Sequence, residues 1–287
     1  MPRVTVLMPV YNAGLYVYEA VESVLQQSYT DYELLIIDDG SSDDTLQKIT
    51  MFDDPRIRIV KNETNMGLVH TLNRGIQLAE GEFIARMDGD DICLPHRLER
   101  QINYMEQHPN VGMCGSHVQV IHSGEVWELP QDPNELKVLL MFHCTFVHPS
   151  VMIRKNVLDD NELYYDLHYS HAEDYDLWVR LAEVTQLTNI PEVLLMYRQH
   201  DTQVSKVHHA AQVHNADRVR MRQLNSLGII PSKWEWVNHQ KLCNIGYSRN
   251  GWLRKMIEQN DKYHRYPVET FRHVLSRYTR YSYHQRA

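Results

Sequence analysis

The sequence predicts an α/β fold on a mostly parallel sheet, and two patterns carry the prediction. Through the first hundred residues, short apolar runs alternate with segments of helical apolar spacing. The runs are continuous rather than alternating, as strands covered on both faces require. Strands and helices of this length in alternation give parallel strands joined by right-handed crossovers.

Taken in order, residues 4–10 (VTVLMPV) form the first strand, which ends at the turn residues Asn12, Ala13 and Gly14. Residues 15–27 carry Leu15, Val17, Val21, Val24 and Leu25 at helical spacing. The run ELLIID at 33–38 is a buried strand that stops on two aspartates and a glycine. Ser41 or Ser42 is expected to cap the next helix, which holds Leu46, Ile49 and Met51. A strand over 57–60, a helix over 68–79 and a strand over 83–87 follow, the last running into Asp88-Gly89-Asp90-Asp91. Beyond Pro95 the spacing predicts a helix over 97–107, then a β-rich stretch over 111–129 with a turn at Gly124-Glu125-Val126. A strand over 147–154, a helix over 171–183 and a strand over 188–198 complete this part. From about Ser205 the composition changes and the rest reads as helices.

Composition excludes several classes. With 287 residues and 43% hydrophobic content, the chain can bury a sizeable core and is not disordered. Lys+Arg 29 against Asp+Glu 37 gives a formal charge of -8, which argues against a nucleic-acid binder. Cys93, Cys114, Cys144 and Cys243 make no CxxC pair, as expected of reduced thiols in a cytoplasmic protein. The chain opens directly on a strand pattern, and no window approaches 18 apolar residues, so neither a leader nor a membrane span is expected. From Arg249 onward nine Lys/Arg stand against three Asp/Glu, interleaved with Trp252 and several tyrosines. That segment reads either as a peripheral membrane contact, on the inner face of the membrane, or as a helical subdomain packing its aromatics on the core.

In open parallel sheets, ligands sit outside the carboxyl ends of the strands. Three strands end there in Tyr11-Asn12, Asp38-Asp39-Gly40 and the acidic cluster at 88–91, so the site should be acidic and lie at one edge of the first half. Carboxylates at a strand end repel one another and gain nothing by packing, whereas Mg²⁺ takes one or two of them with phosphates and waters. Gly89 lets the backbone turn and a ligand approach. Asp38-Asp39 reads equally as a turn with a helix cap or as an acceptor for a base or ribose. Glu173-Asp174 opens a helix, where carboxylates suit the macrodipole. Successive helical residues point about 100° apart, so one of the two faces a cleft, as a general base would. Of 17 histidines, His208, His209 and His214 lack the i,i+4 spacing of a zinc helix and read as surface residues. His200, beyond a strand and near Arg198, is the exception.

The segments MPVYN, ESVLQQSYTDYELLIIDDGSSDDT, NMGLVHTLNRGI, EGEFIARMDGDD, HPSVMIRK, AEDYDLWVRL and YRQHDTQVS occur in the order of the family 2 glycosyltransferases. Over residues 4–206 the chain resembles that family. The resemblance implies a GT-A fold: a nucleotide-sugar half over 1–94, an acceptor half with a smaller β region over 95–204, and a helical extension over 205–287. It implies a UDP-sugar held near Pro9, Tyr11, Asn12 and Asp39, with Asn65 and Gly67 in the same pocket and Asp88 and Gly89 at the ribose or metal. Asp90, Asp88 and His200 would hold Mn²⁺ or Mg²⁺, Asp174 would be the base, and Glu173 would meet the acceptor or orient the site. The family's usual Ala-Arg-Asn is Thr71-Leu72-Asn73 here. Arg86 would then supply the missing cation. The TLN and IAR pair resembles the branch with lipooligosaccharide β-1,3-N-acetylglucosaminyltransferases, a hint toward polysaccharide biosynthesis.

One base, one metal and no carboxylate evident as a nucleophile imply inversion, with a glycan or lipid-linked saccharide as acceptor. Two rivals stand beside this. A nucleotidyltransferase would want a Gly-rich, cationic loop after the first strand, where this chain has PVYNAGLYV. An inactive glycan- or nucleotide-binding module would have no need to keep Asp88, Asp90 and Asp174 together.

Overall fold

The computed structural model describes residues 1–200, 203, 207–245 and 250–278. Part of the YRQHDTQVS segment, the proposed boundary at 204/205, Arg249 and the last nine residues of the basic tail lie outside the described residues.

The strands form one sheet in the order β3-β2-β1-β4-β8-β6-β9-β5, with β7 paired to β6. Strands β1 (Val4–Val10), β2 (Tyr32–Asp38), β3 (Ile57–Lys61) and β4 (Phe83–Arg86) run parallel, as the alternating pattern requires. Helices α1 (Val17–Leu25), α2 (Thr45–Ile49) and α3 (Leu68–Leu78) connect them. The second half adds β5 (Ile92–Cys93), α4 (Arg97–Gln107), β6 (Val111–Val120), β7 (Val126–Trp127), β8 (Met152–Arg154) and β9 (Gln186–Tyr197). Here β8 is antiparallel to both β4 and β6, so the run of parallel pairs breaks at β8 and resumes between β6 and β9. Strand β1 is buried along its length, with Val6 and Met8 on one face and Leu7 on the other contributing to separate cores.

β1 outruns its neighbour. Its register with β4 ends at Leu7–Arg86, while pairing with β2 continues to Val10–Asp38. Pro9 thus sits in a central strand at a point where one side has no partner demanding its missing N–H. Past that point the chain after β4 leaves the ladder and turns into the acidic loop, whose Gly89 lies against Val10.

Three expectations change. The strand expected over 147–154 is a 3₁₀ turn at His148–Ser150 followed by β8, because Pro149 cannot donate to a ladder. The expected serine cap of α2 is absent: Asp43 accepts from the Thr45 N–H and hydroxyl, while Ser41 and Ser42 bond to Asn12. Helix α5 (Pro133–Leu139) falls between 129 and 147, where no element is expected, although Asp132, Pro133 and Glu135 spell its start and Asp132 accepts from the Glu135 N–H.

The remaining helices are α6 (Lys155–Asp160), α7 (Glu173–Leu181), α8 (His209–Ser226), α9 (Lys233–Ile245), α10 (Asn250–Tyr263) and α11 (Val268–Arg277). The last four pack onto the earlier chain. Leu224, Leu242, Trp252, Met256, Phe271 and Val274 share one core with Val138, Met141 and Phe142 around α5. No helix among the described residues is long and apolar enough to cross a membrane.

Candidate active site

The acidic loop follows β4. Carboxylate oxygens of Asp88, Asp90 and Asp91 lie within 4.8 Å of one another. Burial, then repulsion from Asp88, raises the proton affinity of Asp90, and Asp91 is pushed up further by the same causes. One Asp91 oxygen accepts from the Arg198 N–H at 2.8 Å, and its second oxygen is buried without a partner among the described residues. Such a cluster fits a divalent cation: hard oxygens, crowded negative charge and an orphaned buried acceptor. His200 Nε2 meets Asp90 Oδ2 at 2.8 Å, so the histidine expected near the metal does reach the loop.

Two arginines shape this loop, and sequence reasoning singled out neither for that role. Arg198 donates to the Asp90 carbonyl at 2.6 Å and to Glu19 at 2.7 Å, while its guanidinium lies 4.6 Å from the Tyr16 ring centroid. Arg97 is 1% exposed and donates to the Arg86 carbonyl at 2.7 Å and to Gln101 at 3.0 Å. A polar pair at i,i+4 on the otherwise apolar face of Leu98, Ile102 and Met105 was the available signal. Gly89 matters for a different reason than the expected turn. A side chain there would come within 2.8 Å of Val10, so the loop lies against the end of β1.

The residues expected to hold the nucleotide collect at the ends of β1 to β3. Asp39 is 4% exposed and accepts from Asn62 at 2.6 Å and from the Met66 and Gly67 N–H groups, both at 2.9 Å. Its carboxylate therefore shapes the loop carrying Asn65, whose own side chain also accepts from Gly67. Asp38 turns instead to the Ser41 N–H. Gly67 (φ 87) and Gly40 (φ 73) occupy the left-handed region, and Gly40 also packs against the Thr64 backbone. Asn12, itself at φ 48, ties this loop to β1 by donating its N–H to Ser41 and accepting from the Ser42 N–H. Tyr11 leaves the strand half exposed, and Met66 beside Asp39 is exposed to the same degree.

On the facing side, α7 begins with the acid pair. Glu173 is 5% exposed, and burial followed by repulsion from Asp174 pushes its carboxyl up to about 7. One of its oxygens is buried with no partner among the described residues. Asp174 is half-buried, raised by desolvation, and accepts from the Tyr175 N–H at 2.7 Å. Its other oxygen lies 3.8 Å from the Cys144 sulfur, a contact without a sequence signal.

Arg86 joins the two groups. It is 3% exposed, pairs through Nη1 with Asp88 Oδ2, and its Nε has no partner among the described residues. Its charge lowers the proton affinity of Asp90 and Asp91 on one side and of Glu173 and Asp174 on the other. It also holds His148, already depressed by burial, in the neutral form, and His148 bonds the Tyr165 hydroxyl at 2.8 Å. Asn73, where the family's usual pattern continues, makes both backbone bonds to Tyr165, at 2.8 and 2.9 Å. A separate cavity of about 550 Å³ lies at the other end of α7, lined by Lys137, Glu183 and Gln186, away from these acids.

Residues 5–170 match the family model for glycosyl transferase family 2. The chain belongs to that family. It is similar to an uncharacterized glycosyltransferase of Haemophilus influenzae, 31% identical over 79% of this chain and 76% of the relative. It is also similar to the Escherichia coli UDP-Glc:alpha-D-GlcNAc-diphosphoundecaprenol beta-1,3-glucosyltransferase WfgD, 31% identical over 65% of this chain and 72% of that protein. In fold, this glycosyltransferase is similar to TarS of Staphylococcus aureus in complex with UDP-GlcNAc, with a TM-score of 0.62 and 17% identity, over 99% of this chain and 93% of that one. It is similar too to the mannosyltransferase PcManGT of Pyrobaculum calidifontis in complex with GDP-Man and Mn2+, with a TM-score of 0.60 and 16% identity, over 96% and 74% of the two chains. The protein is an enzyme of the GT-A fold.

Proposed function

We propose that this enzyme transfers a sugar (GlcNAc, GalNAc, Gal or Glc) from a UDP-sugar to a hydroxyl of a glycan or lipid-linked saccharide, with inversion and with Mn²⁺ or Mg²⁺. The observation that carries the proposal is the pairing of two carboxylate groups, Asp88/Asp90/Asp91 and Glu173/Asp174, across the buried charge of Arg86. WfgD, named for UDP-Glc, and the TarS complex with UDP-GlcNAc support the UDP-sugar class. The PcManGT complex with Mn2+ supports the metal.

In this reading Tyr11, Asp39, Asn65 and Gly67 receive the base and ribose where β1 outruns β4, beside Pro9 and Asn12. Asp88, Asp90 and His200 hold the cation, which when bound offsets charge on the departing diphosphate. Asp174 takes the acceptor hydroxyl's proton as that oxygen bonds to the anomeric carbon. The bond from this carbon to the β-phosphate oxygen breaks on the opposite face, and UDP leaves with its electron pair. Asp174 suits the base better than Glu173 because it is the less buried of the two, while burial raises the proton affinity of both. Residues 1–94 would serve the donor and 95–204 the acceptor. The burial of Trp252, Phe271 and Val274 supports packing over membrane docking for the extension at 205–287.

The test is release of UDP from a panel of UDP-sugars, with Mn²⁺ and with EDTA, for the native enzyme and Asp174→Asn. Turnover of one donor that EDTA abolishes is expected. Asp174→Asn should bind UDP normally and lose about 10²–10⁴-fold in transfer. Undiminished transfer in that variant would remove Asp174 from the base role. Tight UDP binding without turnover of any donor would favour the binding-module reading.

A further inference from the structure

We infer that helix α8, beyond the residues that match the family model, is a positioning element for the acid pair, acting through Arg222, Arg218 and Asn215. The inference rests on the reading of Asp174 as the base. The segment in front of α7 is irregular: a single 3₁₀ turn at Leu167–Tyr169, then His171 at φ 69, a left-handed conformation unusual for histidine. Local bonds brace it from within: Tyr169 N–H to Asp166 O at 3.0 Å, Ala172 N–H to Tyr169 O at 2.8 Å, the His168 N–H and ring to the Asp166 carboxylate at 2.9 and 2.8 Å, and the Ser170 hydroxyl to Leu167 O at 3.0 Å. Further supports come from α8. Asn215 donates to the Ser170 carbonyl at 2.8 Å, and Arg218 donates to the His168 carbonyl. The guanidinium groups of Arg218 and Arg222 sit 4.6 and 5.3 Å from the Tyr169 ring centroid. His208, at the start of α8, stacks on His171 at 4.2 Å with the rings 6° from parallel.

The second half of the contact lies inside α7. Asp176 is fully buried and pairs with Arg180 on its own helix, Nε at 2.8 Å. Its other oxygen lies 2.6 Å from Arg222 of α8, off the hydrogen-bond line and hence an ion pair. Asp176 is two residues beyond Asp174, in the same first turn. A turn free to rotate would carry Asp174 with it, and misplacement by about 1 Å can cost about 100-fold in rate.

The experiment uses the full-length enzyme with Arg222→Met and Arg222→Lys. Arg180 still neutralises Asp176 in both, so the buried carboxylate keeps one counter-charge. Arg222→Met should lower kcat for the UDP-sugar turned over in the panel by about 10–100-fold. Its KM for that donor and its Kd for UDP should stay within about twofold of native. Arg222→Lys, which keeps the charge, should recover most of the rate. Amide hydrogen exchange across 168–176 should speed up in Arg222→Met relative to the rest of the chain. Unchanged kcat, or a loss of kcat matched by weaker UDP binding, would overturn the inference. If Asp174→Asn proves fully active, the base reading fails separately. Exchange then judges α8 alone, with unaltered exchange at 168–176 counting against it.

Discussion

Replacing Glu173 with glutamine should make the enzyme more stable at pH 8 while lowering its activity. Glu173 is 5% exposed, and burial, then the neighbouring Asp174 charge, lifts its carboxyl from 4.5 to about 7. A carboxyl that holds its proton more tightly in the folded state stabilises the fold while protonated. That contribution is whole below about 4.5, the unfolded value, and is lost as pH rises through about 7. The interval is worth about 3 kcal/mol, at ~1.4 kcal/mol per tenfold change in proton affinity. Glutamine has no charge to desolvate, but it leaves an amide group where the orphaned oxygen sits, returning about 1 kcal/mol. The net gain at pH 8 is then about 2 kcal/mol, or about 5 °C in melting midpoint. By pH 5 native Glu173 is protonated in the fold, and the gap should close to under about 1 kcal/mol. Thermal melts of both proteins at pH 5 and 8, with UDP release measured alongside, read the whole prediction. A variant no more stable than native at pH 8, or an advantage equal at both pH values, would refute it.

Two further outcomes are expected. Asp90→Asn should reduce metal-stimulated UDP release by about 10²–10³-fold and abolish the joint stabilisation by Mn²⁺ and UDP in a thermal-shift assay; retention of that stabilisation would place the cation elsewhere. Gly40→Ala forces a side chain into the left-handed region against the Thr64 backbone, 2.8 Å away. It should cost about 2 kcal/mol in urea unfolding and weaken UDP binding, and a native midpoint would show that this turn relaxes freely.

How much of this was legible depended on whether the signal was local. β1, β2 and β4 announced themselves because strands covered on both faces are continuous apolar runs, and Tyr32–Asp38 is buried at every position. The Pro-containing segment at 147–154 looked equally apolar, yet Pro149 turned half of it into a 3₁₀ turn. Register was not legible at all, so the point where the chain leaves the ladder for the acidic loop came only with the pairing of β1 and β4. The same division runs through the site. Asp88, Asp90, Glu173 and Asp174 stand out as charges placed where packing gives no reason for them. The contacts of Cys144 with Asp174, Arg198 with Asp90 and Arg222 with Asp176 join residues 30 to 108 positions apart or more than a helix away. No periodicity records such meetings.

Arg86 shows why those distant contacts matter to the chemistry. A buried guanidinium is costly unless paired, and its partner Asp88 is itself one of three crowded carboxylates. Five acids, Asp88, Asp90, Asp91, Glu173 and Asp174, face Arg86, with His200 on the outer side at Asp90. One fixed positive charge cannot balance five; burial first, and repulsion from neighbouring acids second, raises the proton affinity of Asp90, Asp91 and Glu173, while burial alone raises that of Asp174. A site built this way is under-compensated in the absence of ligand. In the proposed mechanism a divalent cation would relieve one acidic group, and an acceptor hydroxyl giving up its proton would relieve the other. The fold's contribution is to hold both groups around the buried Arg86, with Arg97 fixing the Arg86 carbonyl and Arg222 of α8 paired with Asp176 on the helix that carries Glu173 and Asp174.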